Sequence, residues 1–187
     1  MEDLILVLGP PCSGKSSLAD PLGRRLGLPV VSRDAIKELA FERLGWSDGA
    51  WSQRVGALSY ALIDYFIGAL LRGNGSAILE SNFSADGLAS IAGTLAATGK
   101  EAFTVYTHAS PETLRTRFLA RANDATRRHP GHVDTTRVED MEQQFRYDLR
   151  PLLRRLPGRI MEVDTEERDP GEIITAVLAN IRRSGQS

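Results

Sequence analysis

The stretch VLGPPCSGKSSLAD, residues 7–20, carries Gly9, Gly14, Lys15 and Ser16 at the spacing G-x-x-x-x-G-K-[ST]. Glycines at such positions let the backbone turn tightly, so that successive N–H groups point at phosphate oxygens at the positive end of the following helix. Pro10, Pro11, Cys12, Ser13 and Ser17 complete the loop. Lys15 would supply a mobile point charge for the β- and γ-phosphates, and the Ser16 hydroxyl would ligate magnesium. Four fixed positions match by chance in a chain of this size with odds on the order of one in a hundred. Context strengthens the match, because an apolar run (LILVL, 4–8) precedes the loop and Leu18, Leu22 and Leu26 follow at helical spacing. The loop is expected to bind a nucleotide. Cys12 reads as a small space-filler rather than a nucleophile, since its thiolate would face bound phosphates.

Working outward, LILVL (4–8), PVVS (29–32), AILES (77–81), AFTVYT (102–107) and RIMEVD (159–164) read as five short strands. Their lack of polar alternation implies cover on both faces, as in a parallel sheet. Helix signatures fill the intervals. Thr136 and Glu139 form a capping box ahead of Val138, Met141, Phe145, Leu149 and Leu152 on one face. Asp169-Pro170-Gly171-Glu172 and Ser110-Pro111-Glu112 open two more helices, and RGNGS (72–76) closes a long one. Pro21 falls inside the helix after the phosphate loop and is expected to bend it. The predicted architecture is a three-layer α/β/α sandwich on a five-stranded, mainly parallel sheet. One domain is expected over 1–183, with a flexible tail at 184–187.

Bulk properties narrow the function. The net charge of −1 gives no global basic field for nucleic acid or anionic membrane. The single cysteine allows no internal disulfide and suits a reducing compartment. The phosphate loop begins so early that no signal peptide fits before it, and the longest apolar run, ALIDYFIGALL, is short for a bilayer. A cytoplasmic protein with a small-molecule partner, and neither nucleic acid nor membrane, is the expectation.

In open α/β sheets ligands sit outside the carboxyl ends of the strands. Asp34, in VVSRDAIKE (30–38), is therefore expected near the γ-phosphate, where it can take a proton from an acceptor hydroxyl; the alternative is a first-turn residue favoured by the helix dipole. Lys37 lies one turn on. Glu80 ends the third strand and fits, loosely, a residue holding magnesium-bound water, with Ser81 and Asn82 beside it. Arg117 and Arg121 share a helical face, and Arg127 and Arg128 follow in a loop; such guanidinium groups suit a lid over phosphates, or else form a solvated charge run. His129 and His132, in HPGH, are three apart with no cysteine or carboxylate spacing to complete a zinc site, and read as lid or substrate contacts or else as surface residues.

Together, GPPCSGKS, SRDAIKE and Leu114-x-x-Arg117-x-x-x-Arg121 resemble the P-loop small kinases: nucleoside-monophosphate-kinase-like proteins related to polynucleotide 5′-hydroxyl kinase, chloramphenicol phosphotransferase and zeta toxin, a group often labelled AAA family ATPases. The resemblance covers about residues 4–165. It implies ATP and magnesium as ligands, Asp34 as general base, Arg117 stacked on adenine, Arg121 and Arg128 on phosphates, and Thr165 beside the base. Lys37 replaces the arginine of the polynucleotide kinases, which counts against phosphate-bearing acceptors. The second helical domain and sensor motifs of AAA motor proteins are not found in the sequence. Acceptor choice in such kinases falls mostly to the segment between the second and third strands, about 35–75, under a lid at about 117–134. Trp46, Trp51 and Arg54 are the candidate acceptor contacts there, although the tryptophans could equally close the core.

Overall fold

The computed structural model describes residues 3–122, 124, 128–134 and 138–184. Strand β1 (Leu4–Leu8) is buried on both faces. Leu4, Leu6 and Leu8 enter one core cluster while Ile5 and Val7 enter the other, as the two-residue period of a strand requires. Each such side chain contributes about 2 kcal/mol by leaving water. Around β1 lie β2 (Val30–Ser32), β3 (Ala77–Ser81), β4 (Ala102–His108) and β5 (Gly158–Asp164), in the order β2-β3-β1-β4-β5. Every pairing is parallel. All five strands found by sequence are present, within one residue at each end.

Parallel pairing brings the carboxyl ends to one edge of the sheet. Leu8 lies opposite Ser81 and Tyr106, Ser32 opposite Glu80, and His108 opposite Asp164. The loops leaving those ends build the site. Helices α1 (Lys15–Leu26) and α8 (Pro170–Ser184) cover one face. The other face is covered by α3 (Gly49–Arg72), α4 (Ala85–Thr98) and the short α7 (Arg150–Leu153), with α2 (Arg33–Leu44) packed on α3. Helices α5 (Pro111–Ala122) and α6 (Val138–Arg146) join through Leu114, Phe118, Met141 and Phe145.

The predicted helix starts hold where they can be read. Ser110 Oγ accepts from Thr113 N at 3.2 Å ahead of α5, and Asp169 Oδ1 accepts from Gly171 N at 2.7 Å ahead of α8. Gly73 follows the end of α3, and Gly75 N donates back to the Leu70 carbonyl at 2.9 Å. The capping box of Thr136 and Glu139 falls outside the described residues, as do Arg127 and the tail from 185. Helix α1 continues for five residues beyond Pro21, so the proline removes one donor without ending the helix.

Two expectations need correction. Leu149 and Leu152 do not continue the helix of Met141 and Phe145: α6 stops at Arg146, and α7 begins at Arg150. Pro151 sits in the first turn of α7, where its missing N–H cannot donate to the turn behind, which separates the two. The run ALIDYFIGALL proves to be part of a 24-residue helix, α3, long and apolar enough by length and composition to cross a membrane. In this fold its Val55, Ser59, Ile63, Ile67 and Leu71 are buried against the sheet and neighbouring helices, the position of a core helix.

Candidate active site

The phosphate loop leaves β1 at Gly9, where a Cβ would come within 2.2 Å of the Thr107 carbonyl oxygen and 2.6 Å of Ser13 Oγ. Only glycine lets the loop lie this close to β4. Ser13 Oγ and Thr107 Oγ1 are 2.7 Å apart in the buried interior, and Thr107 Oγ1 in turn donates to the Leu8 carbonyl at 3.2 Å. Cys12 takes a left-handed backbone (φ 65°), a cost of about 1 kcal/mol that local packing sustains. Its side chain rests against the cluster of Leu114 and Phe118, and burial pushes its thiol pKa up. The space-filling role expected for it is the one the geometry gives.

Lys15 is buried and donates from Nζ to the Pro10 carbonyl at 2.7 Å. Burial lowers its pKa, with Glu80 and Asp34 pulling the other way. Ser16 Oγ lies 3.4 Å from Glu80 Oε1, and Ser32 Oγ donates to Glu80 Oε2 at 2.6 Å. Burial raises the pKa of Glu80 above the ordinary carboxyl value, against the pull of Lys15. A hydroxyl and a carboxylate side by side at the phosphate loop are hard oxygen donors of the kind magnesium takes, and a dication there would favour the ionised carboxylate. The donor set fits the metal.

Asp34 stands in the first turn of α2, after the Ser32 cap, whose Oγ accepts from Ala35 N. Its Oδ2 accepts from Arg128 Nη1 at 2.6 Å, and its Oδ1 lies 3.9 Å from Arg33 Nη1. Burial would raise its pKa, but Arg128, His132 and Arg33 outweigh that and hold the carboxyl well below the usual carboxylate range. Arg128 Nε also donates to Asp134 Oδ2 at 2.9 Å, and Arg121 Nη2 reaches the same oxygen at 3.2 Å. His132, 2% exposed, meets Glu38 at 2.9 Å, and Glu38 lies 3.7 Å from Arg128. Arg121 and Arg128 are thus held in ion pairs rather than forming a solvated run. His132 is buried, and His129 stacks on Phe41 with ring centroids 5.3 Å apart.

Arg117 donates from Nη1 to Thr165 Oγ1 at 2.9 Å and from Nη2 to the Thr165 carbonyl at 3.0 Å. The two residues that the resemblance assigns to the base are therefore in contact. Lys37 is buried and donates to Ser52 Oγ at 2.8 Å. Ser81 is buried with no partner for its Oγ, and the Asn82 side chain accepts from Arg33 Nη1 at 3.2 Å.

These groups line one cleft of about 1220 Å³. Its lining includes the phosphate loop, Arg117, Asp34, Arg128, Tyr60, Ser81 and Asn82. Trp46, Trp51 and Arg54 are not among its lining residues. Trp51 sits in the first turn of α3 and donates from Nε1 to the Gly45 carbonyl at 2.9 Å, Trp46 is half exposed, and Arg54 is exposed. The sequence reading passed over Arg33, Glu38 and Asp134. A signal existed for Arg33, because a cation in the first turn of a helix opposes the helix dipole and so calls for a reason. Glu38 lies four residues after Asp34, on the same helical face; Asp134 had no local signal.

The family model described as "AAA domain" (AAA_33) matches residues 4–147. Among solved structures, a Chloroflexus aurantiacus J-10-fl protein described as a "putative kinase" is 32% identical, with 95% of this chain and 98% of that one covered and a TM-score of 0.76. A gluconokinase from Sinorhizobium meliloti 1021 is 18% identical over 99% of this chain and 94% of its own, with a TM-score of 0.59. Shikimate kinase from Acinetobacter baumannii, solved with shikimate, is 13% identical over 98% and 95%, with a TM-score of 0.56. These last two share the fold. A search of the curated proteins finds no match.

Proposed function

The chain belongs to the AAA-domain family whose model covers residues 4–147, and within that family we propose that it transfers the terminal phosphoryl group of ATP to a hydroxyl of a small molecule, with Asp34 as general base. The observation that carries this reading is that Asp34 lines the same cleft as the phosphate loop with Lys15 and as Tyr60, Ser81 and Asn82. A kinase-like P-loop fold and a 32% identical relative described as a kinase support the reaction class.

In this mechanism the loop N–H groups and Lys15 hold the β- and γ-phosphates. The Arg117 guanidinium flanks the base beside Thr165. An acceptor hydroxyl in the pocket donates its proton to Asp34 as its oxygen bonds to the γ-phosphorus, and the bond from that phosphorus to the β–γ bridging oxygen breaks to release ADP. Asp34 is ionised across the physiological range, and the ion pair that keeps it so also makes it a weak proton acceptor while Arg128 holds it. Arg128 must give up part of its hold on Asp34 at that moment; moving its charge toward the phosphates serves both groups. Arg121 joins it from the lid. Ser16 and, through water, Glu80 would hold magnesium, which when bound supplies charge neutralisation at the phosphate oxygens. The proposed partner is a small molecule rather than nucleic acid, in keeping with the near-zero net charge.

The test is ADP formation from magnesium and ATP across sugars, sugar acids, nucleosides, aminoglycosides, amphenicols and a 5′-hydroxyl oligonucleotide, with Asp34→Asn alongside. An acceptor that raises ADP release in the wild type but not in the variant is the expected result. Equal rates in both would remove Asp34 from the mechanism.

A further inference from the structure

Beyond Asp34 the cleft floor is built from the first turn of α2, the end of β3 and the middle of α3. Arg33 crosses this floor with only 14% of its side chain exposed. Its guanidinium carbon lies 4.2 Å from the centroid of the Tyr60 ring, and Nη1 donates to Asn82 Oδ1. Tyr60 is itself held, its hydroxyl donating to the Asn82 carbonyl at 3.1 Å. The guanidinium is thus held over an aromatic face and tied at one nitrogen to Asn82.

Three features show that this cation is built into the cleft at a cost. Arg33 opposes the dipole of α2 from its first position. Gly56 lies within the helical run of α3, and a Cβ there would come within 2.9 Å of Arg33 Nη2, so glycine leaves room for the guanidinium where it now lies. Among the described residues the charge also lacks a close counter-ion: the carboxylate neighbour there is Asp34 at 3.9 Å, and that group is already bonded to Arg128 at 2.6 Å. Arg33 Nε is buried with no partner, as is the Ser81 hydroxyl on the same floor. A buried guanidinium held rigidly in a binding cleft without a protein carboxylate is ordinarily completed by an anion from the ligand.

We infer that the acceptor carries a carboxylate, and that Arg33, stacked on Tyr60 and oriented by Asn82, binds it. This rests on the kinase reading above and adds a substrate class to it: a hydroxy acid whose hydroxyl meets Asp34 while its carboxylate meets Arg33. A single planar guanidinium edge matches one planar, singly charged carboxylate. Ser81 offers a neighbouring hydroxyl donor, reached by a small rotation of its side chain.

The experiment uses matched pairs that differ only in charge: D-gluconate with D-glucitol, D-glycerate with glycerol, and shikimate with its methyl ester. Acetate and glycerol 3-phosphate are added as further probes. Binding to the full chain in the presence of MgADP is followed by calorimetry for the wild type, Arg33→Lys, Arg33→Gln and Gly56→Ala, and ADP release from MgATP is measured in parallel. At least one acid should bind about tenfold more tightly than its neutral partner, as a charge-assisted hydrogen bond implies. Arg33→Gln should erase that preference, Arg33→Lys should restore part of it, and Gly56→Ala should weaken it.

Equal binding within every pair overturns the inference, as does a preference that survives in Arg33→Gln. It also fails if no carboxylate, acetate included, binds at about 50 mM, a concentration at which even a weak charge-assisted contact registers, or if glycerol 3-phosphate outcompetes every acid. Asp34-dependent transfer to a neutral acceptor alone would remove the carboxylate and leave the kinase standing. Carboxylate binding lost in Arg33→Gln, with no transfer to any acid, would keep this site and remove the kinase reading.

Discussion

The Asp34 carboxylate and the Arg128 guanidinium meet at 2.6 Å across 94 positions of sequence, tying the first turn of α2 to the segment that follows α5. The proposed base and the lid are therefore one electrostatic unit. Replacing Asp34 by Asn keeps a hydrogen-bond acceptor for Arg128 but removes the proton acceptor. It should lower kcat by about 10²- to 10⁴-fold while leaving ATP binding within a few-fold, as read by steady-state kinetics and nucleotide titration.

Asp134 gathers Arg121 and Arg128 on one oxygen with only 10% of its side chain exposed. Asp134→Ala leaves two half-buried cations without that partner. A stability loss of about 3 kcal/mol is expected in denaturant unfolding, together with faster proteolysis near residue 128. Wild-type stability and cleavage would show that the lid is anchored elsewhere.

His132 and Glu38 set the pH response of the same contact. Burial lowers the His132 pKa below its ordinary value near 6.5, even though the bond to Glu38 pulls upward. Below about pH 6.5 the unfolded chain then binds more protons than the folded one, so stability falls as pH drops. Glu38, depressed first by its His132 bond, is lost at still lower pH, as the folded carboxyl protonates. Melting temperatures between pH 5 and pH 8 should decline on the acid side in the wild type and flatten in His132→Gln.

Glu80 touches Ser32 and also Ser16, with which it is expected to organise the metal. Chelation of magnesium should abolish phosphoryl transfer. Glu80→Gln should raise the magnesium concentration for half-maximal activity by about tenfold, the usual cost of a lost outer-sphere ligand. An unchanged magnesium curve would return Glu80 to a purely structural role.

What the sequence made legible follows from how local each signal is. The phosphate loop and the five strands are written in contiguous residues, with spacing and apolarity that few alternatives share. Asp34 could be set at the sheet edge because strand ends fix positions there, whereas Arg117 and Arg121 were read from helical spacing and Thr165 from the family resemblance alone. The tryptophans misled because the segment between β2 and β3 is two packed helices: Trp51 spends its N–H on Gly45 next to it, and Trp46 turns toward His129 outside the cleft. Asp134 and the pairing of Glu38 with His132 depend on contacts between distant segments, and no window of sequence displays those. The division of α6 from α7 was legible in Pro151 and was overridden by the apolar period.

The buried hydroxyl link between Ser13 and Thr107 has a consequence for the nucleotide. It makes the phosphate loop an extension of β4 and β1 rather than an independent loop, with its shape set when the sheet folds. A ligand arriving at such a preformed cradle spends little of its binding energy on ordering the chain. Under the proposed function, the adjustable part of affinity would fall to the proposed lid, and the pace of each cycle to how quickly Arg121 and Arg128 exchange one set of anions for another.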